Sequence, residues 1–457
     1  MATERILTEV KSGDLPSISI GNFSWQAVGE KQLLSRAANG AVTNGAGAAA
    51  VQPAAPKGDD QQVLLNKAFA TAPPLTKEDF PLNLLENKTF SGKGYNTIWR
   101  GASDVLELNL TAESTAFTAS LGNVPNRGVS QDDITLKGLA YLQRVGAFED
   151  ETTGLDNSKN PSAIHLEPGC LMLVPNCASP TQGATMNRMA SVPHGTTINA
   201  QGLAPKAMQS TTTAALVKSI AKVSITPFNI GKPNSLANFF QDRQTIGTGK
   251  VANRLPGNLT KFSEKKTIDQ DVLNNPNEVL TRALDGQQIE SFTTFVVTTD
   301  PSSEKGKEYF GGGTANIGFL LGTTVSGPLM TNGKPDPNGQ PSPSGNENAH
   351  AIRMKCRYWI ETVTDTLTIK PGNKEPFTFP PRVSKTGIPG PTFVAPPTDK
   401  ITQERKIKVK WTQIQYSQDV TLNFNGLSWP HISVATLGDV GTYTLLLQKD
   451  TFGPVGA

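Results

Sequence analysis

Charge is scarce in this chain. Asp, Glu, Lys and Arg make up 18% of its 457 residues, against about 25% in a typical globular protein. That shortage removes the usual surface of long helices, which is built from those residues and Ala. The formal net charge is only +3, so no global basic field exists to drive sequence-independent binding to nucleic acid. Cysteine is rarer still. Cys170, Cys177 and Cys356 cannot form a closed disulfide framework, and they are too few for a zinc site without help from the four scattered histidines, His165, His194, His350 and His431. A reducing compartment during synthesis is the simplest reading. Long apolar runs are missing: the best window, Ala214 to Val223, contains two lysines, and a membrane helix needs about 20 apolar residues. The first residues, MATERILTEVKSGD, carry charges where a secretory leader needs its apolar stretch. The Asn-x-Ser/Thr triplets at Asn22, Asn87, Asn109 and Asn258 therefore read as chance products of abundant Asn and Thr.

What is abundant is Gly (42) and Pro (33), with frequent Thr and Asn. Thr suits a pleated surface, and Gly, Pro and Asn suit turns. From Tyr95 to Ile369 strand-like runs recur: NTIWR, DVLELNL, STAFTASL, ITLKGLAYL, GCLMLVP, LVKSIAKVSITPF, SFTTFVVTTD, NIGFLLGTTVSG and IRMKCRYWIETVTDTLTI. Several alternate with period two, as where Val105, Glu107 and Asn109 oppose Leu106, Leu108 and Leu110. The expected fold is all-β, a mostly antiparallel sandwich or barrel with few short helices. Helical candidates are Trp25 to Arg36, Ser235 to Arg243, and Asp269 to Leu284, the last interrupted by Asn274 and Pro276.

The organisation divides the chain. Residues 1–90 read as an extended or surface-draped arm, because AANGAVTNGAGAAAVQPAAPKGDD has almost nothing to bury. Residues 91–369 form the β body, with a long turn-rich loop at 331–350. Residues 370–400 hold eight prolines, from Pro371 to Pro397, and read as a semi-rigid strap or hinge. Residues 401–457 supply two or three strands, expected to pack on the body or a neighbour, or to stand as a small projection.

Chemistry-bearing motifs are weak. The run Gly311, Gly312, Gly313 lacks both the third glycine of a dinucleotide fingerprint and the Lys of a phosphate loop, so it reads as a bulge or loop before a strand. No histidines are spaced three or four apart, and no Gly-x-Ser-x-Gly elbow accompanies them. Cys170 and Cys177 flank an apolar run as buried thiols would. Asp132, Asp133, Asp336 and the acids of Glu149 to Thr152 read as solvated turn residues, none with calcium-loop spacing. No catalytic or cofactor residue is assigned; a metal site is left open, including a divalent cation held between subunits. The one candidate contact is Lys406, Lys408 and Lys410, which alternate with Ile407 and Val409 and so share one strand face. That face suits a phosphate or acidic partner, or protects an exposed strand edge.

An amino-terminal arm through about Phe90, a turn-rich all-β body, and IRMKCRYWIETVTDTLTI running into a Pro-rich hinge together make the chain resemble the capsid proteins of small non-enveloped icosahedral viruses, of the positive-strand RNA type. The resemblance is one of organisation and covers most of the chain. It implies a jelly-roll shell domain and a coat protein that assembles with many copies of itself. It further implies residence in the virion after synthesis in the host cytoplasm, with no enzymatic turnover. Between Met1 and Asp60 the arm holds five basic and six acidic residues, which departs from arginine-rich genome-binding arms and moves any genome contact to the folded body. The alternatives are another virion or appendage β-protein (fibre, tail or host attachment) and a β-rich hydrolase with a dispersed site.

Overall fold

Residues 72–100, 105–150, 155–156, 162–179, 181–193, 195–233, 235, 255, 259–300, 312–316, 330–331, 334–335, 349–424 and 427–445 are described by a computed structural model. The arm up to residue 71, the helix expected at Trp25 to Arg36, His194, Asp336, Gly311, most of the 331–350 loop and the Ser235 to Arg243 segment after its first residue lie outside the described residues.

Apart from short two- to four-residue strands, eight long strands come in chain order up to Ile369: β1 (Thr89–Arg100), β2 (Val105–Ser120), β3 (Ile134–Asp150), β4 (Ser162–Val174), β5 (Thr185–Val192), β6 (Thr196–Leu203), β7 (Gln288–Thr298) and β8 (His350–Ile369). The proline-rich strap contributes the short β9 (Phe377–Thr378) and β10 (Thr392–Ala395). Then follow β11 (Arg405–Phe424), β12 (Leu427–Asp439) and β13 (Thr442–Thr444). Each long strand pairs antiparallel with its neighbour in sequence, from β1 through β8 to β11 and β12. β12 then returns to β1, pairing Phe90 with Asp439 and Thr97 with Ile432. The result is a closed ten-stranded antiparallel barrel. The all-β barrel is as the sequence reads. Its strand order is up-and-down throughout, whereas a jelly roll is wound from two Greek keys.

Closure brings backbones close at the seam between β6 and β7. The seam joins Thr298 of β7 to Gln201 of β6, and a Cβ on the adjacent Gly202 would fall 1.7 Å from the Val296 carbonyl oxygen. Only glycine lets the two backbones meet there.

Two apolar cores lie on the two sides of the barrel wall. One takes buried members from nine of the ten staves, from Phe90 on β1 to Leu437 on β12, with Phe117 of the tenth, β2, packed against it, and is therefore the lumen. Residues before β1 reach into it: Leu82 and Leu85, at the close of the sequence-defined arm, are buried in this cluster. The second core lies outside. Leu106, Leu108 and Leu110 join Trp359, Ile432 and Val434 against four short helices, α1 (Thr213–Ser219), α2 (Thr260–Lys265), α3 (Gln270–Asn274) and α4 (Glu278–Ala283). The period-two pattern of β2 thus points its leucines at the helices and its other face into the lumen.

LVKSIAKVSITPF, read as a strand, instead begins in α1. Thr212 caps that helix by accepting from Ala215 N, and Leu216 is buried beneath it, so local capping and one buried face override a strand reading. The 269–284 helix breaks as expected: Asp269 caps α3, and Asn275 to Asn277 separate it from α4.

The segments after Ile369 are integral to the barrel, since β11 and β12 are two of its ten staves. Where β8 and β11 extend beyond the barrel, a third small core forms from Leu367, Phe393, Val409 and Leu445. The strap lies on the body, with Ile388 and Phe393 buried. At Gly438 a Cβ would come 1.8 Å from the Pro389 carbonyl oxygen, so the strap's closest approach also depends on glycine.

Candidate functional site

Alternation along five staves aims polar side chains into an otherwise apolar lumen. From β4 comes Glu167 and from β5 Arg188, both essentially inaccessible to solvent. The Arg188 guanidinium grips the carboxylate in bidentate fashion, Nη2 lying 2.6 Å from Oε1 and 2.8 Å from Oε2. Its Nη1 donates to Gln418 Oε1 on β11 at 2.6 Å, and its Nε donates to the Tyr141 hydroxyl of β3 at 3.0 Å. The Tyr141 hydroxyl in turn donates to Glu167. His165, half-buried on β4, brings Nε2 to 3.2 Å from Glu167 Oε2. Burial by itself would raise the Glu167 carboxyl, but Arg188, helped by His165 and Tyr141, outweighs it and holds the group at about 2.

A second carboxyl has the opposite character. Glu113 of β2 accepts from Thr111 Oγ1 at 2.6 Å and from the Tyr416 hydroxyl at 2.6 Å, and Gln143 Nε2 lies 3.4 Å away. No cation pairs with it at salt-bridge distance among the described residues, and burial pushes it above the ordinary carboxylate range. The space between these groups is small. The lumenal cavity lined by Tyr141, Arg188, Tyr358 and Tyr416 measures about 40 Å³, room for a few waters at about 10–15 Å³ each and not for an organic ligand. On the wall formed by β1 to β4 lies a more open groove of about 850 Å³, whose lining includes Glu113, Ser114, Arg144, His165 and Leu166.

Lys406, Lys408 and Lys410 alternate along one stretch of β11. All three are exposed, while Val409 is buried and Ile407 and Trp411 are half-buried. This stretch of β11 is hydrogen-bonded on its β8 side, opposite Thr368, Thr366 and Thr364; pairing with β12 starts only at Gln413. Glu290 partly neutralises the row, 2.8 Å from Lys410 Nζ and 3.6 Å from Lys408 Nζ.

The remaining candidates do not converge. Asp132 accepts from Ser179 N and Asp133 from Gly128 N, both as loop caps. His431 contacts the Thr97 carbonyl, and the three cysteines are free thiols. Among the described residues no three His, Cys, Asp or Glu gather as a metal-binding group. Gly312 and Gly313 lead into a short strand, Gly313–Asn316, beside β6. The lumenal network went unread in the sequence. Its only signal is a lone charge in each of three otherwise weakly polar strands, TAESTAF, HLEPGC and MNRMAS, and the sequence cannot say which face of those strands is inside.

Comparison with protein-family models, with curated proteins and with solved structures gives no match to this chain.

Proposed function

We propose that the chain is a self-associating structural protein, a subunit that builds a virion shell by packing against copies of itself. The observation that carries this reading is the outer face of β3, β4 and β5. There Ala116, Leu142 and Pro168 lie in register across β2 to β4, and Ala140, Cys170 and Met189 across β3 to β5. Leu166 and Met189 are 43% and 40% exposed, and Leu142, Leu166, Cys170 and Met189 belong to none of the three cores. Single exposed apolar side chains are ordinary, but a contiguous half-exposed row across three strands marks an interaction surface. A second copy is the occupant this reading assigns, because a net charge of +3 on 457 residues leaves little repulsion between copies. The filled lumen supports the same reading: it makes the barrel a rigid block with its polar groups spent internally. The up-and-down strand order keeps the likeness to jelly-roll shell proteins at the level of fold class, so the reading rests on the surface.

The test is light scattering and negative-stain microscopy of the purified full chain, beside the double variant Leu166→Asp, Met189→Asp. The expected result is closed particles or discrete oligomers that the variant dissolves into folded monomers. Fibres or tubes would favour an appendage protein, and a monomer across salt, pH and divalent cation would end the proposal.

One observation favours a second reading, a β-rich hydrolase. Two lumenal carboxyls have opposite proton affinities, and Glu113 and His165 border the 850 Å³ groove, a division that suits acid and base roles. That reading requires turnover of a chromogenic glycoside that Glu113→Gln abolishes.

A further inference from the structure

Where β8 and β11 run on past the end of the barrel they form a two-stranded tongue, and one side of β11 is open there. From Lys406 to Thr412 this strand is paired with β8 alone, because its pairing with β12 starts at Gln413. No other described strand pairs with β11, and among the described residues no turn or loop backbone hydrogen bond reaches this stretch. In an antiparallel ladder every second residue turns its N–H and C=O away from the partner strand. A row of unspent backbone donors and acceptors therefore runs along this edge. It lies beside side chains that solvent reaches, since Lys406, Lys408 and Lys410 are all exposed.

The two faces of the tongue differ in character. Ile407, Val409 and Trp411 turn onto the third core, where Trp411 packs against Phe393. Lys406, Lys408 and Lys410 occupy the other face, with Thr368, Thr366 and Thr364 of β8 opposite them. Glu290 reaches the row from the β7 side of the sheet, 2.8 Å from Lys410 Nζ and 3.6 Å from Lys408 Nζ. One carboxylate for three ammonium groups leaves the face cationic. Towards the open edge no carboxylate of the described residues comes within salt-bridge distance of the row, and Lys406 has no ion pair among them.

We propose that this edge takes an extended acidic peptide as a further strand, its backbone continuing the ladder and its alternate Asp or Glu side chains facing the lysines. Side chains on one face of any strand recur about every 6.6–6.8 Å, so the acids of the guest stay in step with Lys406, Lys408 and Lys410. Directly opposed Cβ atoms lie about 4.5–5.5 Å apart, within reach of an ion pair. The same lysines turn away the competing occupants. A second copy of this edge would set lysine against lysine. Single-stranded nucleic acid would meet cations but no stacking platform, because the one aromatic residue of the stretch, Trp411, faces the third core. Lysines that guard an edge against neutral strands thus select an acidic one.

The experiment titrates the full-length chain into a fluorescein-labelled peptide that alternates Glu with Thr, reading anisotropy. Three ligands run in parallel: a peptide of the same composition with its acids in one block, the alternating peptide with every backbone nitrogen methylated, and single-stranded oligothymidylate. The expected result is saturable binding of the alternating peptide that added salt weakens, with slower amide exchange between Lys406 and Thr412. The blocked and methylated peptides should each bind at least about tenfold more weakly, the first because its acids fall out of step and the second because only charge remains. In the double variant Lys406→Glu, Lys408→Glu, with the melting temperature held, affinity for the Glu peptide should fall at least about tenfold, and a peptide alternating Lys with Thr should bind in its place. No saturable binding, equal binding of the blocked or methylated peptide, or tighter binding of the oligonucleotide would overturn the assignment.

Discussion

Glu361 is the side chain least at ease in this barrel. It is fully buried on β8, its Oε2 accepts from Gln413, and its Oε1 has no partner. Burial pushes its carboxyl up to about 8, so the fold favours the protonated form. Its contribution to stability is complete below about pH 4.5 and lost as pH rises through about 8. Glu361→Gln should therefore leave the melting temperature near pH 5 almost unchanged and raise it at pH 9; equal shifts at both values would refute this. Glu167 has the opposite sign. Held at about 2, it stabilises above the ordinary carboxylate range, and that stability drains away as pH falls towards 2. Its partner Arg188 is enclosed, so Arg188→Met strands a buried charge and should cost about 3–5 kcal/mol in urea unfolding, whereas Arg188→Met with Glu167→Gln should cost less than the two single changes combined. Additive costs would mean that the pair is not coupled.

At the scale of elements, glycines at close backbone approaches decide how the pieces meet. Gly202 lets β6 close on β7, and Gly438 lets the strap's Pro389 lie against β12. Gly202→Val must push the seam apart and should cost at least about 1–3 kcal/mol, the usual range for overpacking. Hydrogen exchange should show the loss first at Thr298 and its neighbours; protection unchanged there would disprove the seam's dependence on this residue. Gly438→Ala should instead loosen the strap, seen as faster proteolysis between Arg382 and Gly390 with the barrel intact. Proline content made the strap legible as extended and stiff, because its φ angles are restricted in any context. Glycine content could not reveal these contacts, since 42 glycines look alike in a sequence and only their positions in the fold give Gly202 and Gly438 these roles.

For the whole molecule, the decisive property is closure. A chain ending at Ile369 would lack β11 and β12, two of ten staves, and would expose the edges of β8 and β1 together with the lumenal core. Such a truncation should aggregate or unfold, while a compact, protected fragment by circular dichroism and proteolysis would show that 401–457 is a separable projection. The sequence by itself determined the β class, the interrupted helix at 269–284, the shared face of Lys406, Lys408 and Lys410, and the turn roles of Asp132 and Asp133. Each of these depends on local backbone preference or on alternation within one strand, which a chain carries wherever it goes. Only the tertiary structure decided that the leucines of β2 face outward to helices and Glu113 inward, that Glu167 and Arg188 meet in the lumen, and that the strands wind up-and-down instead of as Greek keys. Those outcomes depend on which strands become neighbours, and alternation fixes the two faces of a strand without saying which of them a closed barrel will enclose.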